Sequence, residues 1–246
     1  MVGKLKTIVW DAPDIQALAD FYVGVAGMTQ HYGDDEWVTL YSTDGWRFGV
    51  QRALDHVPPR WPDPAHPQQM HVDFQVADIE AAAQHAEALG ARRLAGNDQW
   101  ITLADPAGHP FDLCQADDVE GTKVFAVTID TDDAPALGRF YSGLLGLDVT
   151  YEGPEGVLIG RDGEQVMFQQ VADLLRPRWP DPAYPQQLHL DVTVATDADE
   201  AERAATALGA TRLSGDGENW RVYADPQGHP FCLLTGVAPS SNGGTA

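Results

Sequence analysis

The alternation of apolar and polar positions at the start of the chain predicts a strand, a helix and three more strands. Residues 4–11 (KLKTIVWD) alternate as a half-buried strand does. The following segment, DIQALADFYVGVAG, has a helical apolar stripe that Gly27 terminates. That stripe comprises Ile15, Leu18, Phe21, Tyr22 and Val25. Three short strands are predicted near 28–32, 36–42 and 47–52, with an Asp44-Gly45 hairpin turn.

The same order restarts after the proline-rich connector HVPPRWPDPAHP at 56–67. MHVDFQV (70–76) predicts a strand, and Asp78 is typical of a helix N-cap. The helix is predicted to end at Gly90 and to turn four residues inward: Ile79, Ala82, Ala86 and Leu89. Strands near 92–95, 100–103 and 109–115 follow, the last two joined by a turn at 105–108. Residues 3–117 therefore predict two βαβββ modules.

The second half of the chain repeats the first. WPDPAHPQQMHVDF (61–74) returns as WPDPAYPQQLHLDV (179–192), and LADPAGHPFDLC (103–114) returns as YADPQGHPFCLL (223–234). DFYVGVAGM (20–28) also returns, as RFYSGLLGL (139–147), so three matches keep one order and nearly one offset. We therefore predict two tandem domains, 3–117 and 122–236, with helices near 133–145 and 197–208 in the second. A linker at 116–122 and a disordered tail at 237–246 complete the prediction.

The charge and cysteine content exclude several classes of partner. Fifteen Lys and Arg against 37 Asp and Glu give a net charge of −22, which repels nucleic acid and anionic membranes. No apolar stretch is long enough to span a bilayer, and the N-terminus does not have the pattern of a signal peptide. The only cysteines, Cys114 and Cys232, are typical of a reduced chain rather than a disulfide scaffold. We therefore expect a cytoplasmic protein.

The twofold βαβββ order, together with PQQMHVDF, LADPAGHPF and their copies, resembles the vicinal-oxygen-chelate superfamily, in its glyoxalase-like branch. That superfamily includes glyoxalase I, bleomycin-resistance proteins, fosfomycin-resistance enzymes and extradiol dioxygenases. The resemblance implies an α+β fold in which two βαβββ modules form a cupped eight-stranded sheet. It also implies that helices cover the outer face of the sheet and that a ligand occupies the cup.

Strand alternation predicts which side chains face the cups. In the first copy these are Thr7, Val9, Asp11, Gly49, Gln51, His71, Asp73, Gln75, Asp112 and Cys114. In the second copy they are Ala126, Thr128, Asp130, Met167, Gln169, His189, Asp191, Thr193 and Cys232. Trp100 and Trp220, each at the start of a late strand, are predicted to wall the mouths of the cups.

The resemblance also implies four metal-ligand positions in each cup. They correspond to Thr7, Gln51, His71 and Asp112 in one copy and to Ala126, Gln169, His189 and Cys232 in the other. The pair of histidines and one carboxylate that an iron dioxygenase needs is missing, which excludes that activity. A metal, if present, would be held weakly by His71, Asp112 and Gln51. If sites assemble across the copies, Gln169 would join His71 and Asp112, and the mirror site would hold Thr7, Gln51, His189 and Cys232. We expect no tightly bound cofactor.

Three further patterns have structural interpretations. His109 and His229 each follow a turn glycine and are predicted to cap a loop or face solvent. The connectors carry Trp61 and Trp179, which either anchor an extended crossover or form a flap over the cup. The acidic run at 130–133 is predicted to be a strand end and a helix cap.

Two classes of function remain open. One is binding or sequestration of an organic small molecule, as bleomycin-resistance proteins do. The predicted binding residues are Thr7, Gln51, Asp73, Trp100, Gln169, His189, Asp191, Trp220 and Cys232. The other is catalysis, by a divalent-metal lyase or isomerase of glyoxalase type or by a metal-free acid–base pair. In that pair His71 is the base and Asp112 its partner or the acid. The protein is expected to be a monomer with an internal pseudo-dimer, or a homodimer.

Overall fold

A computed structural model describes residues 1–63, 68–181 and 186–236. The tail at 237–246 and parts of both proline-rich connectors lie outside the described residues. The first half contains β1 (Gly3–Ala12), α1 (Ile15–Ala26), β2 (Thr29–Gly33), β3 (Trp37–Tyr41), β4 (Arg47–Arg52), β5 (Met70–Val76), α2 (Ile79–Ala88), β6 (Arg92–Gly96), β7 (Trp100–Ala104) and β8 (Pro110–Gln115). The second half contains β9 (Thr122–Thr131), α3 (Ala134–Leu145), β10 (Asp148–Gly153), β11 (Gly156–Arg161), β12 (Glu164–Gln170), β13 (Leu188–Val194), α4 (Ala198–Leu208), β14 (Thr211–Arg212), β15 (Trp220–Ala224) and β16 (Pro230–Leu234). The predicted βαβββ order is confirmed.

Each of these four helices begins at an aspartate whose side chain accepts a backbone N–H of the first turn. The four caps are Asp14, Asp78, Asp133 and Asp197. Three helices end at a glycine with left-handed backbone, for example Gly27 at φ 61° and Gly146 at φ 74°. The predicted cap within 130–133 is therefore confirmed at Asp133.

The prediction that Leu89 points inward is wrong. The buried residues of α2 are Ile79, Ala83 and Ala86, and Leu89 is 41% exposed. Leu89 is the C-cap residue, so it has left the regular helical stripe. Its side chain instead lies against Gly24 on the neighbouring helix α1.

The strands form two eight-stranded sheets. Sheet A has the order β14-β15-β16-β13-β1-β4-β3-β2, and sheet B has the order β10-β11-β12-β9-β5-β8-β7-β6. The α+β architecture and the two eight-stranded sheets are thus as predicted. However, each sheet takes one module from each copy of the sequence repeat, so neither copy forms a cup of its own. The alternative of sites that assemble across the copies is the observed arrangement.

The strands that join the modules explain this exchange. In sheet A, β1 pairs antiparallel with β13, and in sheet B, β5 pairs antiparallel with β9. The short segment between Gln115 and Thr122 leads the chain from β8 to β9, which lies two strands away in sheet B beside β5. The start of β9 is further fixed to the first module, because the Val124 N–H donates to Asp44 Oδ2 at 3.0 Å. The first strands of the four modules are therefore the two central strands of each sheet.

The helices cover one face of each sheet, and a continuous apolar core lies beneath them. In the first module the ring of Trp10 stacks on Tyr22 at 4.1 Å, and in the third Tyr141 stacks on Phe168 at 5.2 Å. On β5, Val72, Phe74 and Val76 belong to this core. Because side chains alternate along a strand, His71, Asp73 and Gln75 lie on the opposite face. We call that opposite face of each sheet its cup face.

The described part of the chain contains no helix long and apolar enough to cross a membrane.

Candidate functional site

A histidine and three aspartates gather on the cup face of sheet B. His71 and Asp73 lie on β5, Asp112 on β8 and Asp130 on β9. The parallel register of β5 and β8 places Asp112 beside Asp73, and the antiparallel register of β5 and β9 places Thr128 beside His71. We call this group the His71 site. The two residues proposed from sequence as an acid–base pair, His71 and Asp112, are thus brought together.

One atom of His71 faces both neighbouring carboxylates. Its Nε2 lies 3.3 Å from Asp73 Oδ1 and 4.0 Å from Asp112 Oδ2. The second oxygen of each carboxylate is held by a threonine, because Thr128 donates to Asp73 and Thr102 donates to Asp112 at 2.6 Å. The imidazole is only 4% exposed, whereas the side chain of Asp112 is 20% exposed. Asp112 is therefore the outer member of the pair.

The electrostatics of the site favour a protonated imidazole. Burial alone would lower the pKa of His71, but Asp73, Asp112 and Asp130 outweigh it and raise that pKa to about 9. Burial raises the pKa of Asp112, against the opposing effect of His71. Burial likewise raises the pKa of Asp130. The site therefore retains a proton on His71 near neutral pH and penalises the full ionisation of its outer carboxylates.

The third acidic residue of the site, Asp130, has a partner of its own. The amide of Gln68 donates to both oxygens of Asp130, at 3.1 and 3.3 Å. His71 Nδ1 is buried and has no hydrogen-bond partner within the described residues. Among the described residues, the imidazole is therefore held only through Nε2.

The equivalent place on sheet A holds a different set, which we call the His189 site. It comprises His189 and Asp191 on β13, Cys232 on β16 and Asp11 on β1. His189 Nδ1 lies 3.3 Å from Asp11 Oδ2 and 3.2 Å from the Gln186 amide nitrogen. His189 Nε2 lies 3.9 Å from Asp191 Oδ1, beyond hydrogen-bond distance. Here the imidazole is held through the nitrogen that is free in the His71 site.

The His189 site is also strongly perturbed. Burial alone would lower the pKa of His189, but Asp11 and Asp191 raise it. Burial raises the pKa of Asp191 and raises the pKa of the Cys232 thiol well above its usual value. The positive charges of Lys6 and Arg47 repel each other, and both attract the carboxylate of Asp191. The residues at the corresponding places of sheet B, Phe125 and Gln165, carry no charge.

The remaining residues predicted to bind a ligand lie on the cup faces. Thr7 pairs with Asp191 and Gln51 with Asp11 on sheet A, whereas Gln169 pairs with Asp130 on sheet B. Trp100 and Trp220 lie opposite Cys114 and Leu234 and are 37% and 44% exposed. Both side chains are thus partly exposed at the ends of β7 and β15, and their position at the mouths of the cups stays a prediction.

The metal set expected within the first copy is wrong. Gln51 lies on sheet A, while His71 and Asp112 lie on sheet B, because β4 pairs with β1 and β1 pairs with β13 rather than with β5. Side chains on separate sheets cannot form that set.

The His71 site itself is a poor fit for a metal ion. Its three donors, from His71, Asp73 and Asp112, lie within 4.8 Å of one another. A metal-bound histidine normally donates its second ring N–H to a partner, but His71 Nδ1 has none in the described structure. Its Nε2 is directed at Asp73 at hydrogen-bond range instead. The geometry is that of an imidazolium held by carboxylates.

Sequence reasoning missed two buried clusters, one in each copy of the repeat. Asp105 Oδ2 accepts from Tyr22 Oη at 3.0 Å and lies 3.0 Å from His109 Nδ1. The same arrangement recurs with Tyr141, Asp225 and His229. Both histidines are completely buried, so the expectation that they face solvent is wrong, although their link to the turn aspartate agrees with loop capping. The shared spacing of Asp and His in DPAGH and DPQGH was the available signal.

The described parts of the two connectors pack against neighbouring loops. A side chain at Gly215 would collide with the ring of Trp179, and one at Gly108 would collide with Pro58. Trp61 and Trp179 are each half-buried. These contacts favour the anchoring role over a flap, while residues 64–67 and 182–185 lie outside the described structure.

Comparison with known proteins decides the family. The model of the glyoxalase-like domain family matches residues 7–114 and, a second time, residues 126–234. The chain belongs to the glyoxalase-like domain family. No curated protein matches its sequence significantly.

Solved structures agree with this assignment at the level of the fold. A single-substitution mutant of glyoxalase I from Zea mays is 15% identical, with 95% of this chain and 94% of that chain covered and a TM-score of 0.64. Glyoxalase I from Zea mays without that substitution is 15% identical over 94% and 92% of the two chains, with a TM-score of 0.62. A Bacillus subtilis protein that is provisionally described as a dioxygenase is 12% identical. The match covers 98% of this chain and 87% of that chain, with a TM-score of 0.63. At such identities the likeness shows a shared fold and no more.

Proposed function

We propose that this glyoxalase-like protein binds an organic small molecule that presents a cationic or hydrogen-bond-donating group to the His71 site. The observation that carries the proposal is the convergence of Asp73, Asp112 and Asp130 around His71 on one cup face. Phe125 and Gln165 stand where the other cup has Lys6 and Arg47, so neither position adds a positive charge. A cation therefore gains from this cup and an anion is disfavoured.

Access to the site comes from the side of Asp112. Its carboxylate is one-fifth exposed, and the imidazole behind it is nearly buried. Trp100 lies on the same face of the adjacent strand β7, two positions from Thr102, and is 37% exposed. An aromatic ligand with an amine would stack on Trp100 and donate to Asp112.

His71 has a supporting role in this scheme. A protonated imidazole donates to Asp73 Oδ1, and Thr128 donates to the other oxygen of that carboxylate. The outer oxygen of Asp112 is left to accept from the ligand, because Thr102 occupies only Oδ1.

A matched pair of probes tests the proposal. Tryptamine and indole-3-propionate share an indole ring but carry opposite charges, and isothermal titration calorimetry measures both. We expect tryptamine to bind more tightly, and Asp112→Asn to weaken it by about 10- to 100-fold, the value of a hydrogen bond to a charged group. The exposed Asp35→Asn is the control of equal charge change. Preferential binding of indole-3-propionate, or an equal loss in both variants, would contradict the proposal.

Acid–base catalysis is the second candidate, and one observation favours it. His71 Nε2 lies 4.0 Å from Asp112 Oδ2, and burial raises the pKa of Asp112 toward the range of a general acid. Solvent deuterium incorporation into hydroxyacetone, followed by proton NMR, tests for carbon-acid chemistry. Incorporation that His71→Gln abolishes would place catalysis first, and its absence would favour binding alone. The metal-dependent form of catalysis finds less support at this site, because His71 Nδ1 has no hydrogen-bond partner among the described residues.

A further inference from the structure

The proline-rich connector of the first copy carries a histidine that packs against the buried turn before β8. His56 Nε2 lies 2.9 Å from the backbone oxygen of Ala107. The centroid of its ring lies 4.9 Å from that of His109, with 48° between the two planes. A Cβ atom at Gly108 would lie 2.6 Å from Pro58 Cβ, so the backbone of the turn touches the connector as well. The connector is therefore docked on the turn through a histidine pair and a close backbone approach.

Hydrogen bonds fix the tautomers of the two rings. A carbonyl oxygen only accepts, so the contact with Ala107 places the proton of neutral His56 on Nε2. The carboxylate of Asp105 accepts from His109 Nδ1 and from Tyr22 Oη, each at 3.0 Å. An additional proton would therefore bind to His56 Nδ1 or to His109 Nε2. Both atoms are buried, and neither has a hydrogen-bond partner among the described residues.

A positive charge on His56 is disfavoured in the docked position. Burial and the neighbouring His109 lower the pKa of His56. The hydrogen bond to Ala107 and the carboxylates of Asp11 and Asp105 act in the opposite direction but do not outweigh them. A histidine in solution titrates near about pH 6.5. As the pH falls below that value, proton binding therefore favours a state in which His56 has left the turn.

The second copy has the same connector without the histidine. The segment RWPDPA recurs 118 residues later, so Leu174 corresponds to His56. The second connector also packs on its turn, because a Cβ atom at Gly228 would lie 2.5 Å from the backbone oxygen of Pro177. The docking is thus common to both copies, whereas the titratable group belongs to the first copy alone.

We propose that His56 makes the first connector a pH-sensitive anchor, so that residues 53–63 are docked on the turn at neutral pH and are released on acidification. The second connector stays docked over the same range, because leucine does not titrate. Asp11 acts electrostatically on His56 and contacts His189 at 3.3 Å, which links the anchor to the cup of sheet A. This inference does not depend on the ligand of the His71 site.

Limited proteolysis of the full chain tests the anchor against an internal control. Arg60 and Arg178 are exposed, and each precedes a tryptophan in the matching connectors. The ratio of trypsin cleavage after Arg60 to cleavage after Arg178, measured by mass spectrometry, therefore cancels the pH dependence of the protease. Cleavage follows the population of the open state when opening is fast. We expect the ratio to rise by about 3- to 10-fold between about pH 7.5 and 5.5, since one pKa unit between docked and released states changes that population about 10-fold.

Two substitutions separate titration from packing. His56→Leu installs the residue of the second copy, and His56→Gln retains an amide that can donate to Ala107. The rise should disappear in both variants, whereas the exposed His31→Gln should keep it. A ratio in the natural protein that does not change with pH would overturn the proposal, as would an undiminished rise in His56→Gln and His56→Leu. Equal acceleration of both cleavages, with loss of the far-ultraviolet circular dichroism signal, would also count against it.

Discussion

The His71 and His189 sites occupy equivalent places on equivalent sheets, yet they hold their histidines in opposite ways. In the His71 site, Gln68 occupies Asp130 and the imidazole turns its Nε2 to Asp73. In the His189 site, Asp11 and Gln186 contact Nδ1 instead, and Nε2 lies 3.9 Å from Asp191 Oδ1. The comparison teaches that one scaffold holds an equivalent histidine through either ring nitrogen when the orienting partner of that histidine changes.

A few neighbouring side chains account for this difference. Thr128 donates to Asp73, whereas Val9 at the corresponding place offers no hydroxyl to Asp191. The carboxylate of Asp112 is replaced by the thiol of Cys232. Because the backbone pairing is the same in both sheets, the chemistry of each cup depends on these side chains.

The largest expected effect concerns the buried Tyr–Asp–His cluster that both halves of the chain contain. Asp105→Ala leaves Tyr22 and His109 buried without their common partner, and Asp225→Ala does the same to Tyr141 and His229. We expect each change to lower the free energy of unfolding by about 3–5 kcal/mol, measured by urea denaturation. Exposed Asp55→Ala is the control. If only one of the two variants loses stability, the two clusters contribute unequally to the free energy of unfolding despite their matching geometry.

The next effect is a pH dependence specific to the His71 site. The pKa of His71 is raised to about 9 in the folded protein from roughly 6.5 in the unfolded chain. A raised pKa stabilises the fold at low pH. This contribution is therefore fully present below about pH 6.5 and is lost as pH rises through about 9. The groups that face the imidazole are Asp73, Asp112, Asp130 and Thr128.

We expect His71→Gln to remove about 2–3 kcal/mol of this pH-dependent stability. Urea denaturation at several pH values between 6 and 10 measures it, with exposed His31→Gln as control. If the difference between the natural protein and His71→Gln stays constant over that range, His71 does not retain its proton as proposed.

A smaller effect comes from exchanging the residues that distinguish the two sites. Thr128→Val preserves shape but removes the hydrogen bond to Asp73, and we expect a loss of about 1–2 kcal/mol in thermal or urea unfolding. The mirror change Val9→Thr supplies a hydroxyl near Asp191 and should be nearly neutral. Equal destabilisation by both changes would indicate that packing, rather than the hydrogen bond, separates the sites.

The smallest effect tests the corrected helix face. Leu89→Ala and Leu208→Ala each remove a partly exposed leucine that covers a glycine of the neighbouring helix. We expect losses of about 1 kcal/mol or less in either half, against about 2–5 kcal/mol for the buried Leu103→Ala. A loss near the buried value for Leu89→Ala would restore the inward orientation that the sequence predicted.

Local rules predicted the elements and their faces well. Asp78 caps α2 as predicted, because the chemistry of a cap lies within one turn. Val72 and Phe74 reach the core because strand alternation needs no distant partner. The pairing of His71 with Asp112 was also predictable, since both strands belong to one βαβββ module. Gln51 failed as a partner of His71 because that prediction depended on which modules share a sheet.

The sequence by itself determined four βαβββ modules, their capped helices and the residues that face away from the core. These follow from interactions over a few residues, which the order of side chains contains directly. Only the tertiary structure decided that β1 pairs with β13 and β5 with β9. The first strands of the modules are nearly equivalent in pattern, so local preference does not distinguish their partners. The tertiary structure also decided that Asp11 orients His189 while Gln68 occupies Asp130, because each contact joins residues brought together only when modules of different copies share a sheet.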